Sequence, residues 1–232
     1  MLSWLGFNGL LLIVAYILGA TPTGYWVGWQ FKGIDIREHG SGSTGATNAW
    51  RVFGKKLGLL VLAIDVFKAV AAVSIVRWSY GNPAISQLAP ESINLNTWMP
   101  WTIVAAGLFA LFGHSQSFWL MFGSARNPNL AKGGKSVASG LGVLLAISWP
   151  IGLATLGIFA FVLAVSRYVS LSSMLSGIGI SVLMLSTHQP FPYTLFAILA
   201  TLYIFLRHRS NIQRLLDGSE PKVGQKFAEF AE

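Results

Sequence analysis

Seven stretches of the chain, at about 4–30, 57–79, 98–113, 137–149, 150–166, 171–186 and 190–206, are almost continuously apolar, and the polar residues collect between them. A hydrocarbon layer of about 30 Å needs roughly 20 apolar residues of helix to cross it. The pattern therefore predicts an all-α, polytopic integral membrane protein with about seven transmembrane helices. The fourth and fifth stretches meet at Pro150. Together they are too long for one crossing, which favours two helices joined by a tight turn over one kinked helix. The first stretch has no basic residues ahead of it, and its apolar run continues too far for a cleavable signal peptide.

Composition supports this division. Of the 232 residues, 53% are hydrophobic and 10% charged, against about 25% charged in an average soluble domain, so a soluble protein is excluded. The absence of cysteine removes disulfides, thiolate metal sites and cysteine nucleophiles together. The formal net charge of +8 suggests either nucleic acid or an anionic membrane surface as a partner, and the placement of the charges decides between them.

With seven crossings, fourteen of the sixteen basic residues fall on one side: in the loop after the first span, the loop after the third, the turn at Arg167 and the tail. By the positive-inside rule the N-terminus is outside and the C-terminus cytoplasmic. Merging the fourth and fifth spans would put Arg167 and five basic tail residues outside, a poor fit. Nucleic acid is not an expected partner, and membrane lipids are. The cytoplasmic segments are about 31–56, 114–136, 167–173 and the tail 207–232, all within a single membrane-embedded domain, 1–232.

The first of these segments contains Gly40-Ser41-Gly42-Ser43-Thr44-Gly45-Ala46-Thr47-Asn48, followed by Arg51. Gly40, Gly42 and Gly45 match the dinucleotide spacing, but that motif requires a preceding strand and here a membrane helix precedes it. Glycines let backbone N–H groups converge on an anion, hydroxyls add donors, and an arginine clamps phosphate bidentately. Phosphate binding is therefore preferred to a plain flexible loop. The second loop ends Lys132-Gly133-Gly134-Lys135-Ser136. A P-loop would need glycine at 129, which is Asn129. Two lysines around two glycines at a helix start remain a candidate anion site, level with ordinary positive-inside charge.

His114 closes the third span, and His208 opens the tail with Asn211 three residues on, where a helix would share one face. His188 lies in a short outside turn and is read as inert. No histidine pair has metal-ligand spacing, so no metal is expected. Asp65 and Lys68, at i, i+3 within the second span, must pair or face the bundle interior, as a structural ion pair or as part of a pocket. Arg167-Tyr168-Val169-Ser170-Leu171-Ser172-Ser173 holds more serines than a helix cap needs.

Taken in order, Gly-Ser-Gly-x-x-Gly-Ala-Thr-Asn-x-x-Arg, Gly-His with a later Lys-Gly-Gly-Lys, Arg-Tyr-Val-Ser-Leu-Ser-Ser and Arg-His-Arg-x-Asn-Ile-x-Arg-Leu-Leu resemble the bacterial acyl-phosphate:glycerol-3-phosphate acyltransferases, the PlsY family. The resemblance runs from about residue 11 to 224 and includes the Asp-x-x-Lys of the second span. It implies transfer of a fatty acyl group from acyl phosphate to the 1-hydroxyl of glycerol 3-phosphate, giving lysophosphatidate and phosphate, an early step of phospholipid biosynthesis. It further implies no cofactor, no CoA or acyl-carrier protein, and a multi-pass place in the bacterial cytoplasmic membrane with the site facing the cytoplasm.

The matching positions carry over as candidates. His114, His208, Ser41 and Asn211 are the catalytic ones. Ser41, Gly42, Thr47, Asn48, Arg51, Lys132, Gly133, Gly134, Lys135, Ser170 and Ser172 are the phosphate-binding ones. The chain departs from the family pattern at Ser43 and Thr44, which stand for Asn and an aliphatic residue, in about nine residues inserted from Gly123 to Ala131, and at Ser136, which replaces a glycine.

Acyl-CoA and acyl-carrier-protein glycerolipid acyltransferases use a histidine with aspartate five positions later. Here those positions hold Thr44, Trp119, Tyr193 and Gln213, so that dyad is absent. Direct attack with the substrate's own phosphate as base is expected, with His208 or His114 as the alternative base. A competing class is a membrane transporter for a phosphorylated solute. It would spread polar residues through several spans, whereas here they are mostly confined to the second.

Overall fold

The structure, a computed structural model, describes residues 1–123 and 133–223. The described residues form helices and connecting turns, with no strand among them. All seven apolar stretches are helical. The first is not one helix, however, but two: α1 (Leu2–Ala20) and α2 (Thr23–Lys32). Pro22 has no N–H for the helix ladder and drives the residue before it out of the α region, and Thr21 adopts φ −53°, ψ 112°.

The next helices are α3 (Ala46–Phe53), within the glycine-rich loop, and α4 (Lys55–Gly81), followed by the single turn α5 (Pro83–Ser86). Then come α6 (Leu95–Ser115) and the short α7 (Phe118–Gly123). Beyond the second loop lie α8 (Val137–Ile147), α9 (Trp149–Ser166), α10 (Val169–Ser186), α11 (Phe191–Arg207) and α12 (Arg209–Leu216). Extended backbone at Ser148 (φ −151°, ψ 100°) separates α8 from α9, and Pro150 occupies the first turn of α9, where a missing N–H is harmless. Pro150 thus marks the start of a helix.

Among the described residues, five segments can cross a membrane by length and composition: Leu2–Lys32, Lys55–Gly81, Leu95–Met121, Trp149–Ser166 and Val169–Ser186. A sixth is added if α11 and α12, bent by 60°, count as one span. The eleven residues of α8 extend about 17 Å, short of a full hydrocarbon layer.

The long helices run between the same two ends. At one end Tyr80 of α4 donates to Asn8 of α1 (2.7 Å) and bonds Thr102 of α6 (2.7 Å), and Arg77 donates to the Ile147 carbonyl of α8 (3.2 Å). At the other, Lys68 reaches the Thr21 carbonyl (2.8 Å), Arg207 reaches Gly134 (3.1 Å), and Val223 pairs with Arg167 (2.8 Å). Helix α4 is central, packing on α1, α3, α6 and α8, while α10 packs between α9 and α11.

Membrane helices gain no hydrophobic drive from meeting one another, so close approach through small residues does the work. Gly19 lies on Ala110, Gly113 on the Tyr16 and Ala20 backbone, and Gly142 on the Val66 carbonyl, and none of the three has room for a Cβ. Large side chains such as Phe67, Phe161 and Leu206 are exposed on the outer faces, as expected of surfaces meeting lipid.

Candidate active site

The glycine-rich loop is organised by Asn48. Its Oδ1 accepts from the Ser41 N–H (2.9 Å), and its Nδ2 donates to the carbonyls of Ser43 (2.9 Å), His39 (3.0 Å) and Ile36 (3.3 Å). Its amide N–H groups and its oxygen are thereby engaged by the loop and the segment just before it, and the residue is 1% exposed. Gly40 and Gly42 sit at φ 61° and 69°, in the left-handed region that glycine enters without cost. A side chain at Gly40 would also overlap Asn48 Oδ1. Helix α3 starts at the end of this loop, and its Thr47 and Arg51, four residues apart, share one face.

The second loop closes over His114. Gly133 N–H donates to the Ser115 carbonyl (3.1 Å) and Gly134 N–H to that of His114 (3.2 Å). A Cβ on Gly133 would overlap the His114 carbonyl, and one on Gly134 would overlap the imidazole Nε2. The glycines therefore let this loop lie on the end of α6. Ser136 has φ 60°, which is where a glycine would be favoured, and its buried hydroxyl compensates by donating to the Leu111 carbonyl (2.9 Å). Lys132 lies outside the described residues, as does the inserted segment from 124 on.

Beneath the loops, Asp65, Lys68 and His114 form one buried cluster. Lys68 Nζ contacts Asp65 Oδ1 (2.8 Å), the Thr21 carbonyl (2.8 Å) and His114 Nδ1 (3.0 Å). Thr23 donates to Asp65 Oδ1 (2.8 Å), which also lies 3.5 Å from His114 Nδ1. Asp65 Oδ2 is buried with no partner. The expected intramembrane pair is present, enlarged by a histidine.

The tail contributes a residue that the sequence reading passed over. Gly218, at φ 72°, ends α12 and turns the chain back, so that Glu220 N–H donates to Arg214 (3.0 Å). Glu220, 6% exposed, then accepts from Ser170 Oγ (2.7 Å), Asn211 Nδ2 (2.7 Å) and Arg214 Nε (2.8 Å). Burial works to raise its pKa, but these donors and the Arg214 charge hold it below the usual carboxylate range. Lys135 Nζ donates to Asn211 Oδ1. Burial, together with Arg214, Arg51 and Arg207, lowers the pKa of Lys135 to about 8, against the opposing pull of Glu220. His208 Nδ1 lies 2.8 Å from the Ile204 carbonyl. A carbonyl can only accept, so Nδ1 carries the proton and Nε2 is the acceptor.

These groups border one cavity of about 210 Å³. Ser41, Thr47, Asn48, Arg51, His114, Lys135, Ser170, His208 and Asn211 line it, with Asp65 and Glu220. The rest of its lining is mostly apolar and includes Leu62, Leu111, Leu144, Phe159, Ile180 and Phe196, with Thr155, Ser173, Ser176 and Tyr203 among them. Of the predicted phosphate ligands, Ser172 does not border the cavity. It is fully buried, with its hydroxyl donated to the Tyr168 carbonyl (2.8 Å), because residues two apart on a helix point roughly 200° apart and Ser170 takes the cavity face. Gly42, Gly133 and Gly134 serve as backbone around the cavity rather than as its lining.

The family model described as Glycerol-3-phosphate acyltransferase matches residues 9–218. The chain belongs to this family. A glycerol-3-phosphate acyltransferase of Acaryochloris marina is 53% identical over 228 residues, covering 98% of this chain and 97% of that protein. One from Trichormus variabilis is 50% identical over 224 residues, 97% of this chain and 95% of the relative. Among solved structures, PlsY (YgiH), an integral membrane glycerol 3-phosphate acyltransferase, superposes in its glycerol 3-phosphate form with TM-score 0.77 at 30% identity, over 94% of this chain and 96% of that one. Its lysophosphatidic acid form superposes with TM-score 0.76. The acyltransferase family thus embraces nearly the whole chain, including all four motif segments.

Proposed function

We propose that this protein transfers a fatty acyl group from acyl phosphate to the 1-hydroxyl of glycerol 3-phosphate, releasing lysophosphatidate and phosphate. The observation that carries this reading is the mixed lining of the cavity: cations and hydroxyls from the loops together with a largely apolar surface from the helices. One substrate is a small phosphate and the other a phosphate with a hydrocarbon tail. Each buried CH₂ of that tail contributes roughly 0.8 kcal/mol. Arg51 and Lys135 bind the phosphates with the loop hydroxyls of Ser41 and Thr47, while Asn48 holds the glycine loop in shape.

The hydroxyl oxygen attacks the acyl carbonyl carbon, and the bond from that carbon to the phosphate oxygen breaks. The hydroxyl proton passes to a phosphate oxygen of the substrate itself. Acyl phosphate already has a good leaving group, so positioning and charge stabilisation are what the protein supplies. No acyl-enzyme is needed. Ser170 is hydrogen-bonded to a carboxylate, but one held by two further donors and of lowered basicity, which makes it a poor activating base. The reaction uses neither a cofactor nor CoA or acyl-carrier protein. The six long helices α1, α4, α6, α9, α10 and α11 cross the cytoplasmic membrane, with the short α8 as the fourth of seven passes, the N-terminus outside and the cavity facing the cytoplasm. The chain works as one membrane-embedded unit.

The test is purified full-length protein in detergent with acyl phosphate and labelled glycerol 3-phosphate. Lysophosphatidate should form, should not form when acyl-CoA replaces acyl phosphate, and should be lost in Arg51→Ala. Failure to form it, or undiminished activity in Arg51→Ala, overturns the reading. A trapped acyl-serine at Ser41 or Ser170 would overturn direct transfer alone.

A further inference from the structure

The Asp65, Lys68 and His114 cluster is more than a neutralised pair of charges. An ammonium group has three protons and no acceptor, and Lys68 has three acceptors around it: Asp65 Oδ1, the Thr21 carbonyl and His114 Nδ1. Its third proton therefore points at Nδ1, and this 3.0 Å contact, shorter than the 3.5 Å from Nδ1 to Asp65 Oδ1, favours a lone pair on Nδ1. Asp65 Oδ1 is itself held by the Thr23 hydroxyl, so the pair is fixed from both sides. The His114 proton is left on Nε2.

Nε2 makes no hydrogen bond among the described residues. It abuts Gly134, the glycine before Lys135, and His114 borders the cavity. A neutral imidazole presenting N–H beside a lysine-bearing loop is a donor for an anion. His208, by contrast, has its proton on Nδ1 and an acceptor at Nε2. The two histidines of one cavity are thus held in opposite tautomers.

We propose that Asp65 and Lys68 are positioning residues that hold the proton of His114 on Nε2, and that this N–H donates to a phosphoryl oxygen of the substrate bound at the Gly133–Lys135 loop. His114 is then a donor and takes no proton from the attacking hydroxyl. The inference rests on the acyltransferase reading only for the identity of the phosphate, which belongs either to glycerol 3-phosphate or to the acyl donor.

The experiment is NMR of the full-length protein in detergent with ¹⁵N-labelled histidine, the His114 signals being assigned by their loss in His114→Gln. An unprotonated Nδ1 and a protonated Nε2 are expected. Saturating glycerol 3-phosphate, or separately a non-hydrolysable acyl phosphonate, should shift the Nε2 signal, and the one that does identifies the phosphate. Lys68→Met should mix the tautomers. In kinetics His114→Gln, whose amide nitrogen can stand near Nε2, should retain far more activity than His114→Asn, with the loss in Asn about 10- to 100-fold in the KM of that same substrate. A proton on Nδ1 in the wild type, an unchanged tautomer in a folded Lys68→Met, or no response to either ligand overturns the proposal. If Lys68→Met does not fold, the wild-type tautomer still decides. The expected tautomer in a protein without acyl transfer would defeat the proposed reaction and leave the positioning role of Asp65 and Lys68 standing.

Discussion

Gly134 lies directly against the imidazole of His114, with no room for a Cβ between its backbone and Nε2. The glycine and the histidine come from motifs about twenty residues apart in sequence, and the contact fixes the height of the phosphate loop over the end of α6. Gly134→Ala should push the loop or the ring aside. We expect about 1–3 kcal/mol of destabilisation, the usual range for overpacking, and a rise of tenfold or more in the KM of one phosphate substrate. Thermal unfolding and initial rates measure the two effects separately. Unchanged values in both would show that the loop yields freely.

Lys135 gives the phosphate site its pH dependence. Its pKa of about 8 means that the unliganded protein loses this charge as pH rises through 8. Phosphate affinity should therefore fall above pH 8, by up to tenfold per pH unit, while Lys135 itself adds no pH dependence well below 8. Stability moves the other way. Between about 8 and the ordinary lysine value of 10.5 the unfolded chain holds more protons, so this residue's contribution to stability rises with pH over that window. Lys135→Arg should flatten the affinity profile.

Glu220 opposes the burial of Lys135, so removing its charge should move that profile toward lower pH. Glu220→Gln can keep its one oxygen for Ser170 and Asn211, and then sets an amide N–H against Arg214 Nε. We expect a stability loss of about 1–3 kcal/mol, in keeping with a lost charged hydrogen bond. The pH at which KM begins to rise should shift down in the same variant, and an unshifted profile would show that Glu220 acts on the tail alone.

Ser136 stands at a left-handed backbone position with its hydroxyl tied to Leu111. Glycine removes the strain, costing roughly 1–2 kcal/mol for an L-residue, but also the hydrogen bond of about 1 kcal/mol. Ser136→Gly should be near neutral, Ser136→Ala less stable by about 1 kcal/mol, and Ser136→Val worse than either. Unfolding midpoints in one detergent would establish the order.

The long helices were legible because crossing a membrane imposes a length, and a run of apolar residues of that length is hard to mistake. The phosphate-binding loops were legible for a different reason, since glycine beside Lys, Arg and hydroxyl residues is conspicuous against so apolar a chain. What escaped depended on direction. Ser170 and Ser172 look alike in sequence, yet half a turn of helix sends one to the cavity and the other to a backbone carbonyl. Asn48 reads as a ligand, but its amide is consumed by the loop it organises. Glu220 reads as one acidic residue in a solvated basic tail, and only the turn at Gly218 brings it back onto Arg214 and Asn211. The link from Lys68 to His114 spans 46 residues, and no spacing rule reaches that far.

The interruption at Thr21 and Pro22 acts beyond its own helix. A continuous membrane helix turns its carbonyls into its own ladder, whereas Ala20 and Thr21 offer theirs sideways, to Ser117 and Lys68. An ammonium group on one helix is thus partly solvated by the backbone of another. Straightening the first span, without altering any charged residue, would leave that ammonium one acceptor short. Polarity deep in this bundle depends as much on where the backbone stops being helical as on which side chains it carries.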